Sequence, residues 1–75
     1  MELNEFVTAF AEEFEDTPIE KFEANTRFRE LEEWSSLSAL SIIAIVDEHF
    51  NKQITGADLR SVNTIEELYN FVQSK

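Results

Sequence analysis

The chain has 75 residues, no cysteine, and sixteen Asp and Glu against six Lys and Arg, for a formal charge of −10. That length supports one small domain, residues 1–75, whose stability must come from packed side chains, chiefly seven Phe, one Trp and one Tyr, because neither a disulfide frame nor a thiolate metal site is available. Such acidity argues against nucleic acid and anionic lipid as partners and for basic protein surfaces, while 43% hydrophobic content with clear periodicity argues against disorder.

Met1 is followed by Glu2 rather than by a basic and then apolar segment, so no signal peptide is read. No apolar stretch approaches the ~20 residues needed to span a bilayer. The expectation is a cytoplasmic monomer without membrane insertion.

From Glu2 to Glu15, Leu3, Phe6, Val7, Phe10, Ala11 and Phe14 recur at steps of three and four, the period of a helix with one buried face. Asp16-Thr17-Pro18 should stop it, since proline lacks the amide and disfavours helical geometry in the residue before it. The long connection that follows has no sustained period, but Ile19, Phe22, Phe28, Leu31 and Trp34 are spaced as anchors to the core.

A second helix begins at Ser35 or Ser36 and runs to about Phe50. Leu37, Leu40, Ala44 and either Ile43 or Phe50 fit one stripe, and Ile42 to Val46 is apolar on almost every side, which predicts a central helix touched by several others. Asn51-Lys52-Gln53 breaks the pattern. Thr55 with Asp58 three residues on predicts a capped short helix over Ala57 to Val62. Thr64 with Glu67 is a cleaner capping box, and Ile65, Leu68, Tyr69 and Val72 give the core face of a last helix ending near Ser74. The fold class is all-α: a small four-helix bundle with a long first loop and a short third helix.

Little in this chain suits catalysis. The one histidine, His49, would lie ~20 Å from Ser36 along the same helix, beyond direct cooperation, and reads as a solvent-facing residue near a helix C-terminus. No Asp-rich calcium loop exists, and the single Gly56 excludes a Gly-rich phosphate loop, so neither a metal site nor a catalytic set is expected. The serines opening the second helix stand out by position. A hydroxyl there meets free backbone amides and the positive end of the helix dipole, which favour an attached phosphodiester, and it is exposed to a modifying enzyme. Ser35 or Ser36 acting only as a helix cap fits the same position.

In the order of its helices, its acidity and the segment Ser35-Ser36-Leu37, the chain resembles the acyl carrier protein family, whose Asp-Ser-Leu signature opens the second helix. Ile42 to Phe50, with Asp47-Glu48 before the aromatic, and the closing half with Thr64-Ile65-Glu66-Glu67-Leu68 extend the likeness over nearly the whole chain. The resemblance implies 4'-phosphopantetheine attached to Ser36 by a phosphopantetheinyl transferase. The arm would hold acyl or aminoacyl intermediates as thioesters for acyl-processing enzymes with basic surfaces, in fatty acid, polyketide or specialised lipid biosynthesis. It further implies partner contacts at Ser35, Leu37, Ser38, Ser41, Asp47 and Glu48, and cargo lining by Ile42, Ile43, Val46 and Ile65. Ser35 replaces the usual aspartate, and Ser38 and Ser41 stand where many members carry acids, which makes the recognition surface less negative at its start and favours a specialised pathway. The alternative is a non-carrier acidic interaction module whose Ser35 and Ser36 are caps alone.

Overall fold

The apolar positions of the chain gather into one cluster of fourteen buried residues, with no polar side chain among them. The computed structural model describes residues 1–75. Four α-helices enclose the cluster, α1 (Leu3–Ala11), α2 (Ser36–Phe50), α3 (Gly56–Arg60) and α4 (Ile65–Gln73), and the α1–α2 connection contains two 3-10 turns, Ile19–Lys21 and Phe28–Glu30. α1 packs against α2 and α4, and α2 also packs against α3. Phe14 meets Trp34 at 6.2 Å between ring centroids and Phe6 meets Phe50 at 5.6 Å, so α2 starts beside the end of α1 and runs antiparallel to it.

α1 is shorter than its periodicity predicts. It ends at Ala11, and the chain then tightens through 3-10-type bonds from the Glu13 amide to Phe10 O and from the Phe14 amide to Ala11 O. This turn keeps Phe14 in the core at 5% exposure, so the apolar spacing continues past the helix. Glu12, Glu13 and Glu15 fall where a longer helix would have its negative end. Pro18 therefore does not stop α1 but precedes the first 3-10 turn.

The connection is irregular yet held. Phe22 and Phe28 are buried and Leu31 and Trp34 pack partly against the core, whereas Ile19, expected to anchor, is 57% exposed. Its middle is bonded to the α3–α4 turn and the start of α4. The Ile65 and Glu66 amides donate to Thr26 O and Ala24 O, and Arg29 Nη2 donates at 2.7 Å to both Val62 O and Asn63 Oδ1. The connection thus satisfies amides that the first turn of α4 cannot satisfy internally.

The bounds of α2 match expectation, but its buried face does not. Ile42, Ile45 and Val46 are buried, with Ala39, Ile43 and Phe50 packed partly beside them. Leu37 and Leu40, assigned to the core stripe from spacing, are 74% and 62% exposed, and Ala44 is exposed too. Neighbouring elements cover one side of α2 only, so a helix apolar nearly all round leaves two leucines in water. α2 ends at Asn51 in the left-handed region (φ 55°), which asparagine tolerates better than most residues.

α3 and α4 follow their caps. The Thr55 hydroxyl accepts from the Asp58 amide and that of Thr64 from the Glu67 amide, each at 3.1 Å. Ile65, Leu68 and Val72 are fully buried, and the partly buried Tyr69 donates its hydroxyl to Met1 O at 2.6 Å. No helix is long and apolar enough to cross a membrane.

Phe28 is wholly buried, 5.5 Å from the Phe10 ring and 5.1 Å from Trp34. Replacing it by Ala should cost about 3–5 kcal/mol, most of the stability of so small a domain. Urea denaturation followed by Trp34 fluorescence checks this, with a lowered midpoint and a red-shifted native spectrum as the expected result.

Candidate functional site

The start of α2 is built by three serines with different duties. Ser35, in extended geometry (φ −153°, ψ 178°), is the cap, its Oγ accepting from the Ser38 amide at 3.4 Å. Ser38 reciprocates, its Oγ accepting from the Ser35 amide at 3.3 Å and donating to Glu33 O at 3.2 Å. Ser36, the first helical residue, is exposed, and its hydroxyl makes no hydrogen bond within the protein. The Ser36 and Leu37 amides also have no backbone acceptor, as expected at a helix start. Capping therefore accounts for Ser35 and Ser38 and leaves Ser36 without a structural task.

Ser36 lies between two depressions of opposite character. On the α3 side is an open cleft of about 380 Å³ whose eight lining residues include Arg29, Trp34, Ser36, Ala39, Leu59 and Arg60 together with Ser35 and Gly56. On the other side a depression of about 270 Å³ brings Glu13, Glu15 and Glu33 next to Ser35, Leu37, Ser38 and Ser41. The expectation of a less negative surface at the start of α2 thus holds for the helix alone. The end of α1 and the connection set three carboxylates beside its serines. Their only sequence signal was the crowding of acids after α1 and before Trp34.

Glu33 ties the beginning of the connection to its end. Its carboxylate accepts from the Thr17 hydroxyl at 2.7 Å and from the Asp16 amide at 3.2 and 3.3 Å. The Thr17 hydroxyl above all, helped by backbone amides of Asp16, Glu15 and Thr17, holds its pKa below the ordinary value of 4.5 against opposing desolvation.

The other residues singled out in the sequence are spread along the chain. Asp47 and Glu48 are exposed near the far end of α2, about 16–18 Å from Ser36 by helical rise. Ile42, Val46 and Ile65 are at 0% exposure, Ile43 is partly buried, and none of the four lines a surface depression. His49 is exposed in the last turn of α2. No group of three or more His, Cys, Asp or Glu is arranged to hold a metal ion.

Compared with known families, residues 3–72 match a family model described as "Phosphopantetheine attachment site". No curated protein and no solved structure matches.

Two predictions concern the segment before Ser36. Ser35→Ala should cost about 1 kcal/mol through the lost cap, while Ser35→Asp should retain wild-type stability because aspartate caps as well and its charge suits the helix start; urea midpoints of the three proteins decide. Glu33 has a depressed folded-state pKa, so its contribution is present above the unfolded-state value and is lost as pH falls through the folded-state value. Wild type should therefore exceed Glu33→Gln in thermal midpoint at neutral pH, and the gap should close on acidification below the ordinary glutamate range.

Proposed function

The chain belongs to the phosphopantetheine attachment site family, and from that premise we propose that Ser36 is the residue to which its arm is joined. The protein is a carrier domain, not a catalyst, and 4'-phosphopantetheine is its prosthetic group. The observation that carries the assignment is the division among the serines. Ser35 and Ser38 are bonded to each other, whereas Ser36 at the first helical position has an exposed hydroxyl without an internal partner; Ser41, also without a partner, is half-buried further along the helix.

The residues present fit the group. An anionic ester on Ser36 would meet the free Ser36 and Leu37 amides at the positive end of α2, and the adjoining cleft is open and lined partly by guanidinium groups. When attached, 4'-phosphopantetheine supplies a terminal thiol on which an acyl or aminoacyl group is held as a thioester. Ser36 fixes the origin of that tether, and the closed Ser35–Ser38 cap keeps the origin in register with the helix, so cargo is presented at raised local concentration to successive enzymes.

Partner contacts are proposed on the exposed side of α2, at Leu37 and Ser41 and, toward its far end, Asp47 and Glu48, with Ser35 and Ser38 shaping the entry. Glu13, Glu15 and Glu33 add the negative charge that the serines of α2 lack and suit a transferase and acyl-processing enzymes with basic surfaces. The exposed Leu37 and Leu40 add apolar contact. A recognition helix uncharged from Ser36 to Val46 favours a specialised lipid or polyketide pathway over the common fatty-acid system. Ile42, Ile43, Val46 and Ile65 are the side chains an inward-folding cargo would meet, and reaching the three fully buried ones requires the core to part.

Incubation with coenzyme A and a broad-range phosphopantetheinyl transferase should add one arm to the wild-type protein and to Ser35→Ala, and none to Ser36→Ala. Intact-mass measurement reads the result, and an adduct that survives Ser36→Ala refutes the assignment.

A further inference from the structure

The two flanks of Ser36 differ in charge, and the difference bears on where anything joined to it lies. Among sixteen acidic residues the chain has only three arginines. Two of them, Arg29 and Arg60, line the cleft on the α3 side, while the depression on the other side carries Glu13, Glu15 and Glu33. Neither cleft arginine is paired with a carboxylate, the one ion pair of the protein being Arg27 with Glu30.

Each arginine is also set to receive an anion. Arg29 is anchored by its two Nη2 bonds to Val62 O and Asn63 Oδ1, and its Nε and Nη1 hydrogens have no partner in the protein. The Arg60 side chain makes no hydrogen bond, and a Cβ built on Gly56 would stand 3.4 Å from its Nη1, so the guanidinium folds back over the start of α3 along the cleft wall. A phosphodiester on the neighbouring hydroxyl would find unpaired guanidinium donors on one side, of the geometry that suits phosphate oxygens, and repelling carboxylates on the other.

We propose that Arg29 and Arg60 form an anion subsite for the phosphodiester on Ser36 and thereby lay the arm along the α2–α3 cleft, over Trp34, Ala39 and Leu59. The subsite rests on Ser36 being the attachment point. Because both guanidinium groups are exposed, the interaction orients the arm and is screened by salt. The acidic flank then stays free for partner proteins.

The test uses protein loaded from coenzyme A with isotope-labelled pantetheine, its single arm on Ser36 verified by intact mass and peptide mapping. At low salt, nuclear Overhauser contacts are expected from the pantetheine methyl groups to the Trp34 indole and the Leu59 methyls. They should be lost in Arg60→Gln, weakened in Arg29→Lys and in wild type at ~1 M salt, and unchanged in Lys21→Gln, which removes an equal charge from a residue that does not line the cleft. An unaltered amide spectrum for the core shows that Arg60→Gln has kept its fold. The subsite is refuted if the contacts are equal in wild type and Arg60→Gln, are absent from wild type, or fall on Leu37 and Ser41 instead. Loading at a residue other than Ser36 refutes the attachment assignment itself.

Discussion

Phe10 is the side chain on which the rest of the domain closes. It is wholly buried and touches four other rings, Phe6, Phe14, Phe22 and Phe28, at centroid distances of 5.5–6.2 Å. Those rings come from α1, from the turn after it and from the irregular connection, so one residue joins α1 and its closing turn to Phe22 and Phe28, which no backbone hydrogen bond links to them. In a chain of this size without cysteine, each fully buried aromatic contributes about 1.5–3 kcal/mol, and no other class of interaction here is as large. The column continues through Phe14 and Phe28 to Trp34, which stands two residues before Ser36. The Ser36 hydroxyl is therefore exposed and without an internal partner, while the backbone that carries it is held at its root.

The α1–α2 connection does more than return the chain. One part is bonded to the start of α4 and, through Arg29, to the α3–α4 turn, and its last part is tied back to its first through Glu33, which accepts from Asp16 and Thr17. Being fixed, it serves as a wall, and it gives Arg29 to one side of Ser36 and Glu33 to the other. A segment without regular structure thus sets the charge on either side of Ser36. Its backbone groups are satisfied by helix starts and turns rather than by a helix of its own.

The serines of α2 replace charge with geometry. A cap made by Ser35 and closed by Ser38 needs no carboxylate, and the Ser38 bond to Glu33 O joins the cap to the connection. Negative charge near the helix start is carried instead by Glu33, just before it, and by Glu13 and Glu15, which follow α1.

Much of this protein was legible in its residues. The caps Ser35, Thr55 and Thr64, the bounds of α2, the core face of α4 and the exposed His49 all follow from relations within one helical turn, which sequence spacing states directly. The likeness to carrier proteins rested on the same local order. Four features depended on tertiary packing. Leu37 and Leu40 had the spacing of a core stripe, but no neighbour covers that side of α2; Ile19 had the spacing of an anchor and faces water. Phe14 kept helical spacing beyond the end of its helix because a tighter turn reached the same core. The opposed charges beside Ser36 come from residues over twenty positions apart in the case of Arg29 with Arg60 and of Glu13 or Glu15 with Ser38. Periodicity shows that a face is apolar, and only packing decides whether anything lies against it.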